Sequence, residues 1–231
     1  MSGNQLLAVM AAADVARLRP NFENVSLQQE AVLFQADEPI THVYFLHEGV
    51  VSLQVLAADG AVVEGATIGN EGVVGLGGLL ANDVSFTRQL IQLPGCGIRI
   101  ARDAFLTAVN RSASLRSLLA SHSDAFAAQV LQTSACNAQH STEERMARWL
   151  LMAFDRCATD HINLTHDDLA VAFGVRRPTV TLVLRSLQAA QILETTRRAI
   201  TVIDRQGLEQ ISCECYRAIT KNYQRVFAQH R

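Results

Sequence analysis

The chain has 231 residues, 49% of them hydrophobic and 18% charged, with a formal net charge of −2 at pH 7. This length allows one large domain or two smaller ones, and the hydrophobic content is ample for a core. No apolar run is long enough to cross a bilayer, and the stretch around Asp14 lacks the basic start and uninterrupted apolar block of a signal peptide. These features argue against a membrane partner and predict a cytoplasmic protein.

The small net charge conceals an asymmetry between the two parts of the chain. Residues 1–140 contain 7 arginines and 12 acidic residues, whereas residues 141–231 contain 12 arginines, one lysine and 10 acidic residues. The first part is therefore negative and the second positive. Such a division is typical of a nucleic-acid-binding unit attached to a unit with another task.

The hydrophobic period changes along the N-terminal part. Residues 4–19 predict a helix, because apolar side chains recur there at helical spacing. From about residue 24 to residue 101 the period shifts towards two. Asp59-Gly60 is typical of a hairpin turn, and short strands separated by glycine turns indicate an antiparallel roll or barrel. Segments rich in valine, isoleucine, leucine and phenylalanine predict its strands, over residues 25–35, 42–57, 60–69 and 86–100.

The glycine-rich segment 69–89 is the closest thing to a ligand-binding loop in this part. Its glycines would let backbone N–H groups approach an anion. The alternative, that they serve tight turns in a small barrel, is favoured because Arg88 is the only cationic side chain in the segment.

The sequence shows no complete set of metal ligands. His42 and His47 would face opposite sides of a continuous strand, which argues against a metal-dependent roll enzyme. Cys213 and Cys215 lie two residues apart, but no second pair completes a zinc or iron–sulfur site. An odd, scattered set of five cysteines also argues against a disulfide framework. The sequence therefore predicts no metal, and most of the cysteines are expected to be small buried hydrophobic side chains.

Residues 103–138 contain neither proline nor glycine and predict a long helix. A helix of this length can pack one stripe on the roll and another on a second subunit, although packing within one chain is the alternative. Cys136 continues the stripe, which raises the hypothesis of a redox-sensitive contact with its twin. The stripe has spacings of three and four residues and comprises Leu115, Leu119, His122, Phe126, Val130 and Thr133.

A hinge at His140 and Ser141 is predicted to follow. Ser141 and Glu144 form a capping box, which begins a helix over residues 141–157. Residues 204–230 predict a final helix. The inner face of the helix after the hinge is expected to be formed by Met146, Trp149, Leu150 and Ala153.

Residues 165–202 predict two helices joined by a tight turn and followed by a two-stranded hairpin. Thr165 is suited to cap the first helix, and Gly174 is free to take the positive φ that ends it. Pro178 falls in the first turn of the second helix, where its missing N–H costs nothing. The buried stripe of that helix is expected to be Val180, Leu184 and Leu187.

The opposite face of this second helix carries groups that bond phosphates and base edges. Between Gly174 and Ile200 there are five arginines against Glu194 alone, which favours DNA binding over an ordinary helix pair with a solvated face. Helix-turn-helix proteins usually read two half-sites, so we favour a dimer. The predicted DNA-binding residues are Thr165, Arg176, Arg177, Thr179, Thr181, Arg185, Arg197 and Arg198.

The order of these elements resembles a known family. The most specific residues are LTHDDLAVAFGVRRPTVTLVLRSLQAAQIL, supported by VYFLHEGVVSL, IGNEGVVGL and the helix with RMARWLL. Together they are similar to the cyclic-AMP receptor protein and fumarate–nitrate regulator superfamily of bacterial transcription factors. The resemblance covers nearly the whole chain. It implies that Arg176, Arg177, Thr179 and Thr181 reach base edges or nearby phosphates. It also implies that Arg185 and the wing arginines, Arg197 and Arg198, hold the DNA backbone.

The chain departs from the cyclic-nucleotide-binding members of that family. Val73 stands where they have glutamate, and Phe86-Thr87 where they have an Arg-Ser pair, with Arg88 displaced by two positions. Val130-Leu131 replaces the adenine-contacting Thr-Ser. A buried phosphate would lack its arginine, which argues against cyclic AMP. The six effector-pocket candidates are Gly72, Val73, Thr87, Arg88, Val130 and Leu131. No cysteine occurs in residues 1–95, where the oxygen-sensing members have a cluster.

The sequence thus predicts an α+β protein in three parts. An N-terminal antiparallel β-roll occupies residues 1–102, a long dimerisation helix residues 103–139, and a winged helix-turn-helix domain residues 140–231. We expect a homodimeric, non-enzymatic transcription regulator that binds double-stranded DNA. The resemblance implies RNA polymerase as a further partner, while the roll binds an unknown effector or is purely structural. The alternative is an effector- or partner-binding module in which the helix-turn-helix only packs.

Overall fold

The computed structural model describes residues 3–58, 60, 62–79, 83–157, 159–196 and 198–230. The predicted turn residue Asp59 and the predicted DNA contact Arg197 lie outside these residues. Within them, no helix has the length and apolar character needed to span a membrane.

The N-terminal part is an antiparallel roll, as predicted. Its five strands pair in the order β1-β5-β3-β4, and β2 also pairs with β5. Every pairing is antiparallel. The elements are α1 (Gln5–Ala8), α2 (Ala12–Leu18), a 3-10 turn (Arg19–Asn21), β1 (Glu23–Leu27), β2 (Val32–Phe34), β3 (His42–Leu56), β4 (Val62–Ile68), α3 (Leu76–Leu79) and β5 (Arg88–Ala101).

Two predicted helices are interrupted by local caps. The predicted helix over residues 4–19 begins where the Asn4 side chain accepts a bond from Leu7 N, and it divides into α1 and α2. The prediction of one long helix from residue 103 is also wrong at its start, because Ser112 is extended and ends α4 (Arg102–Arg111). The Ser112 hydroxyl then accepts from Leu115 N at 3.1 Å and begins α5 (Ala113–Gln139).

The C-terminal part is a helix-turn-helix unit with a small sheet. The capping box of Ser141 and Glu144 is present and begins α6, as predicted. The predicted hairpin is joined by a third strand, β6, which was not predicted. The predicted final helix divides in two near Cys213. The elements are α6 (Thr142–Arg156), β6 (His161–Asn163), α7 (His166–Phe173), α8 (Arg177–Ala189), β7 (Leu193–Thr195), β8 (Ala199–Val202), α9 (Arg205–Ile211) and α10 (Cys215–Gln229).

Helix α6 lies at the centre of the molecule. The predicted inner face is buried, and so are the other residues from Met146 to Phe154. The helix contacts strand β3 of the roll as well as α7, α9 and α10, while α10 also packs along α5. A single hydrophobic core therefore runs through both parts of the chain.

Buried polar contacts also join the roll to α6. The Arg156 guanidinium donates to both carboxylate oxygens of Glu71, with Nη2–Oε1 at 2.6 Å and Nε–Oε2 at 3.0 Å, and its Nη1 donates to Thr67 Oγ1 at 2.6 Å. Arg156 is 4% exposed. A Cβ on Gly69 would overlap the methylene groups of Arg156, so only glycine leaves room for this close approach.

A second contact lies beside the first. Trp149 Nε1 donates to Glu64 Oε1 at 2.9 Å, and Ser52 Oγ donates to Glu64 Oε2 at 2.6 Å. Burial raises the pKa of Glu64 to about 7, although both hydrogen bonds favour the charged form. The protonation state of Glu64 is therefore tied to the contact between the roll and α6.

Candidate nucleic-acid interface

The turn between α7 and α8 forms as the sequence predicted. Gly174 has φ 61° and ends α7 in the left-handed region, and Val175 N donates to Ala170 O at 3.1 Å. At the other end of α7, Thr165 Oγ1 accepts from Asp168 N at 3.2 Å, and Asp168 Oδ2 accepts from Thr165 N at 2.7 Å. This reciprocal capping box gives the helix a defined start.

One side of the helix pair is fixed to α6. Phe173 packs edge-on against Trp149 with ring centroids 6.1 Å apart. Arg145 stacks over the Phe173 ring and donates from Nη2 to Phe173 O at 3.0 Å. The predicted stripe of Val180, Leu184 and Leu187 is buried, and Leu169 and Phe173 of α7 are buried beside it. Because this side of the helix pair is fixed, the opposite side of α8 faces solvent.

The opposite side of α8 presents arginines to solvent. Arg176, Arg177 and Arg185 are exposed, and Thr179 is half-buried. Arg177 Nε lies 3.4 Å from Asp167 Oδ1 in a pair whose two side chains are more than half exposed. An ion pair of this kind contributes little energy, so a DNA phosphate or base can replace Asp167.

Leu182 shares this face but was not predicted. Its side chain is 66% exposed, and it lies three residues from both Thr179 and Arg185. The alternation of arginine, threonine and leucine matches a major groove, where thymine offers a methyl group beside hydrogen-bonding base edges. The sequence contains this signal, because helical spacing places Leu182 on the face of α8 with Thr179 and Arg185.

Two threonines that the sequence predicts to contact DNA have hydrogen-bond partners within the protein. The Thr181 hydroxyl lies 2.9 Å from His166 Nδ1 and donates to Arg177 O at 3.1 Å, so it is engaged between α7 and α8. Thr165 is occupied as the cap of α7. The Thr181 hydroxyl therefore links α7 to α8, and the Thr165 hydroxyl caps α7, whereas Arg176, Arg177 and Arg185 have exposed side chains. Contact of the two threonines with DNA stays a prediction.

The hairpin after α8 forms the predicted wing. Leu193 pairs with Val202 and Thr195 with Ile200. Its turn is closed by Thr196, whose backbone N–H donates to Ala199 O at 2.8 Å. Arg198 is exposed in this turn, on the hairpin that follows α8.

Comparison with known proteins assigns both parts of the chain. A model of the Crp-like helix-turn-helix domain matches residues 144–211, and a model of the cyclic nucleotide-binding domain matches residues 24–118. The chain belongs to the Crp/Fnr family of transcription regulators. Its members carry a DNA-binding helix-turn-helix domain and are regulators and not enzymes. No curated protein sequence matches the chain significantly.

Solved structures of Crp/Fnr regulators have the same fold. FixK2 from Bradyrhizobium japonicum matches with a TM-score of 0.67 and 21% identity, over 83% of this chain and 98% of that one. A putative regulator of the family from Eubacterium rectale matches with a TM-score of 0.68 and 15% identity, over 89% and 96%. The c-di-GMP-responsive regulator CLP from Xanthomonas campestris matches with a TM-score of 0.62 and 16% identity, over 83% and 99%.

A partly open cavity of about 310 Å³ lies between the roll of this Crp/Fnr chain and α5. Of the six predicted pocket residues, Val73 and Thr87 line it, whereas Leu131 is 71% exposed on the outside of α5. Gly72 lies directly behind the cavity, against the His122 ring. The lining is mainly apolar, with Leu53, Ile68, Val73, Leu76, Phe86 and Phe126 beside Thr87, Gln89, His122 and Ser123.

His122 is the most unusual group in this lining. It is 3% exposed, and neither ring nitrogen has a hydrogen-bond partner among the described residues. Burial lowers its pKa to about 4, so the ring is neutral near pH 7 and offers one donor and one acceptor. Gln89 Oε1 likewise has no partner among the described residues.

The predicted dimer stripe is largely internal in this structure. Leu115, Leu119 and His122 are buried by the roll and by α10 of the same chain, so they do not form a surface for a second chain. Cys136 is also fully buried, and its Sγ lies 3.5 Å from Cys213 Sγ of the same chain. The hypothesis that Cys136 meets its twin is therefore wrong for this conformation.

Proposed function

We propose that the chain is a homodimeric, sequence-specific DNA-binding regulator whose recognition helix is α8. The observation that carries this proposal is the outward arginine face of α8, held rigidly by the buried contacts of α6 and continued by Arg198 of the wing. Arginine is the side chain that most often reads guanine in the major groove, and exposed wing arginines suit phosphates.

The exposed side of α5 supports the dimer. Leu131, which is 71% exposed, continues a series of exposed small apolar residues along the helix, formed by Ala120, Ala127, Ala135 and Ala138. Small residues let two helices approach closely, and their spacing keeps them on one side. The proposed seam is therefore displaced by about one position from the predicted stripe, with the half-buried Phe126, Val130 and Thr133 at its edge.

We further propose that the cavity in the roll takes an uncharged, mainly apolar effector. No charged side chain of the described residues lines it, so a cyclic-nucleotide phosphate would be buried without a cation. The neutral His122 ring and the Gln89 amide would instead bond one or two polar groups of such a molecule.

Selection of bound duplexes from a random pool tests the DNA-binding proposal. We expect a palindromic consensus with half-sites about one helical turn apart, and sedimentation that gives a dimer. An unenriched pool would support the alternative in which the helix-turn-helix only packs. An asymmetric consensus bound by a monomer would retain DNA binding and reject the dimer.

Two arginine substitutions separate base reading from phosphate binding. Arg177→Ala should lower affinity for the selected site by about 1–3 kcal/mol and leave affinity for unrelated duplexes nearly unchanged. Arg198→Ala should weaken all duplexes alike and reduce the salt slope by about 1. Affinity that neither change alters at low salt would contradict the proposed interface. Arg225→Ala on α10 is the matched control.

A further inference from the structure

Four potential metal ligands converge where the long helix ends. Cys136 and His140 come from the last turn of α5 and its cap, whereas Cys213 lies just before α10 and Cys215 is the first residue of α10. Their ligand atoms all lie within 4.8 Å of one another. Cys136 Sγ is 3.5 Å from Cys213 Sγ, and Cys215 Sγ is 3.7 Å from His140 Nδ1. The expectation that Cys213 and Cys215 lack further ligands is therefore wrong.

Two of the six separations have the values expected around a single tetrahedral ion, and the other four are no longer than 4.8 Å. Zinc–sulfur bonds of about 2.3 Å and zinc–nitrogen bonds of about 2.0 Å imply ligand separations of roughly 3.8 Å between two sulfurs and roughly 3.5 Å between sulfur and nitrogen. The two measured separations are within about 0.3 Å of these values. Three thiolates and one imidazole are a common ligand set of structural zinc sites.

Neighbouring side chains complete the surroundings of such a site. His140 directs Nδ1 at the cysteines, and its Nε2 lies 3.3 Å from Glu214 Oε2. A carboxylate in this position orients a zinc-bound histidine. Gln132 Nε2 donates to Cys215 Sγ at 3.0 Å, as expected beside a sulfur that carries negative charge.

A buried cation also faces the cluster. Arg148 is 5% exposed and its Nη1 donates to Met152 Sδ at 3.5 Å. Among the described residues its Nε has no hydrogen-bond partner and no salt bridge involves it. Its charge and that of Arg145 are close enough to Cys136 to interact with a thiolate there. An ion held by three thiolates has a net negative charge, which would compensate these arginines.

Other chemistry fits the cluster less well. In a [4Fe–4S] cluster each cysteine binds a different iron, and in a [2Fe–2S] cluster the four ligands are divided between two irons, so the full ligand set spans a wider space than around one ion. A Cys136–Cys213 disulfide would use two of the four groups and leave the convergence of His140 and Cys215 unexplained. Both observations favour a mononuclear site.

We propose that Cys136, His140, Cys213 and Cys215 bind one structural Zn²⁺ ion that fastens the hinge between α5 and α6. His140 caps α5 and immediately precedes Ser141, the cap of α6. An ion at this point fixes the direction in which α6 leaves the long helix and holds the start of α10 against it. The proposal is independent of DNA binding.

Metal analysis of the full chain tests this site. The wild-type chain, purified under reducing conditions with zinc present, should contain about one zinc per chain. Cys213→Ser and His140→Ala should lose most of it, whereas Cys96→Ser and Cys157→Ser, which change cysteines outside the cluster, should keep it. His140→Cys should retain zinc, because a fourth thiolate is also a zinc ligand, and this distinguishes ligand loss from misfolding.

Cobalt gives a second readout on the wild-type fold. After chelation, Co²⁺ should produce the intense visible bands of a tetrahedral thiolate site, absent in Cys213→Ser and unchanged in Cys157→Ser. Several outcomes would overturn the proposal. The first is a zinc content of wild type no higher than that of Cys213→Ser, and the second is an equal loss of zinc in the Cys96→Ser and Cys157→Ser controls. The others are iron with the absorption of an iron–sulfur cluster instead of zinc, and a Cys136–Cys213 disulfide in peptides from reduced preparations.

Discussion

The helix-turn-helix unit and the contact between the roll and α6 use arginine in opposite ways. On α8 and at its cap the arginines are exposed and lie within one ten-residue segment. The ion pair that the described residues show there, Arg177 with Asp167, is open to water. At the roll contact, Arg156 is buried against Glu71, which is 85 residues away in the chain. The first arrangement leaves charge free for a partner, and the second uses charge to fix two parts of one chain together.

This difference has an energetic consequence. An exposed ion pair contributes at most about 1 kcal/mol because water and salt screen it. Breaking a buried pair leaves an uncompensated charge and costs about 3–5 kcal/mol. Substitutions of the exposed arginines of α8 should therefore affect DNA binding and leave stability nearly unchanged, whereas substitutions at the contact between the roll and α6 should lower stability.

The largest expected effect is that of Arg156→Met. This change leaves Glu71 buried without its cation and should lower the free energy of unfolding by about 3–5 kcal/mol, measured by urea denaturation. The matched control is Arg185→Met on the exposed face of α8, which should change stability by less than about 0.5 kcal/mol. Equal losses for both variants would break the comparison between the two regions.

The next effect is a pH dependence centred on Glu64. Its folded pKa of about 7 lies above the usual value of 4.5, so the folded state holds its proton more tightly than the unfolded state. Glu64 thus stabilises the fold fully only below about pH 4.5, and that contribution is lost as pH rises through 7. Relative to Glu64→Gln, wild type should lose about 2–3 kcal/mol of unfolding free energy between pH 5 and pH 8.

The comparison with Glu64→Gln removes an opposing contribution. The pKa of His122 is depressed by burial to about 4, so its contribution is present above the usual 6.5 and is lost as pH falls towards 4. Both proteins retain His122, and their difference therefore reports Glu64 alone. A difference that is flat with pH would show that the Glu64 carboxyl is charged in the fold, hydrogen-bonded by Trp149 and Ser52.

The smallest effect concerns the start of α7. Thr165→Ala removes one half of the capping box and should cost about 1 kcal/mol of stability, measured by thermal or urea unfolding. Thr165→Ser keeps the hydroxyl and should cost only a few tenths of that amount. If Thr165→Ala also reduced affinity for DNA much more than its effect on folding predicts, Thr165 would contact DNA directly, as the sequence suggested.

The sequence predicted the helix-turn-helix closely because its determinants are local. Thr165, Gly174 and Pro178 each specify the backbone within a turn of themselves, and the buried stripe of α8 follows from spacing alone. Three of the four strand segments predicted for the roll were also found through their alternation, whereas the segment over residues 25–35 is divided by a turn into β1 and β2. Ser112 was missed because no glycine or proline marks the break, although serine is a favoured helix cap.

The distant contacts were inaccessible for a physical reason. Glu71 and Arg156, or Cys136 and Cys213, meet only after the roll, α5 and α10 have packed, and no local pattern records that packing. One partial signal existed in the cluster, since Cys136 and His140 are four residues apart and share one side of α5. Pairing them with the Cys-Glu-Cys segment required the fold.

Gly69 shows that the glycine-rich loop packs against a cation of the same chain. The loop was considered as a cradle for an external anion, yet Gly69 and Glu71 enclose an internal cation, the side chain of Arg156. A side chain at position 69 would overlap Arg156 and displace the last turn of α6. Because α6 contacts α7 and α7 contacts α8, we expect a displacement of α6 at this loop to change the orientation of the recognition helix.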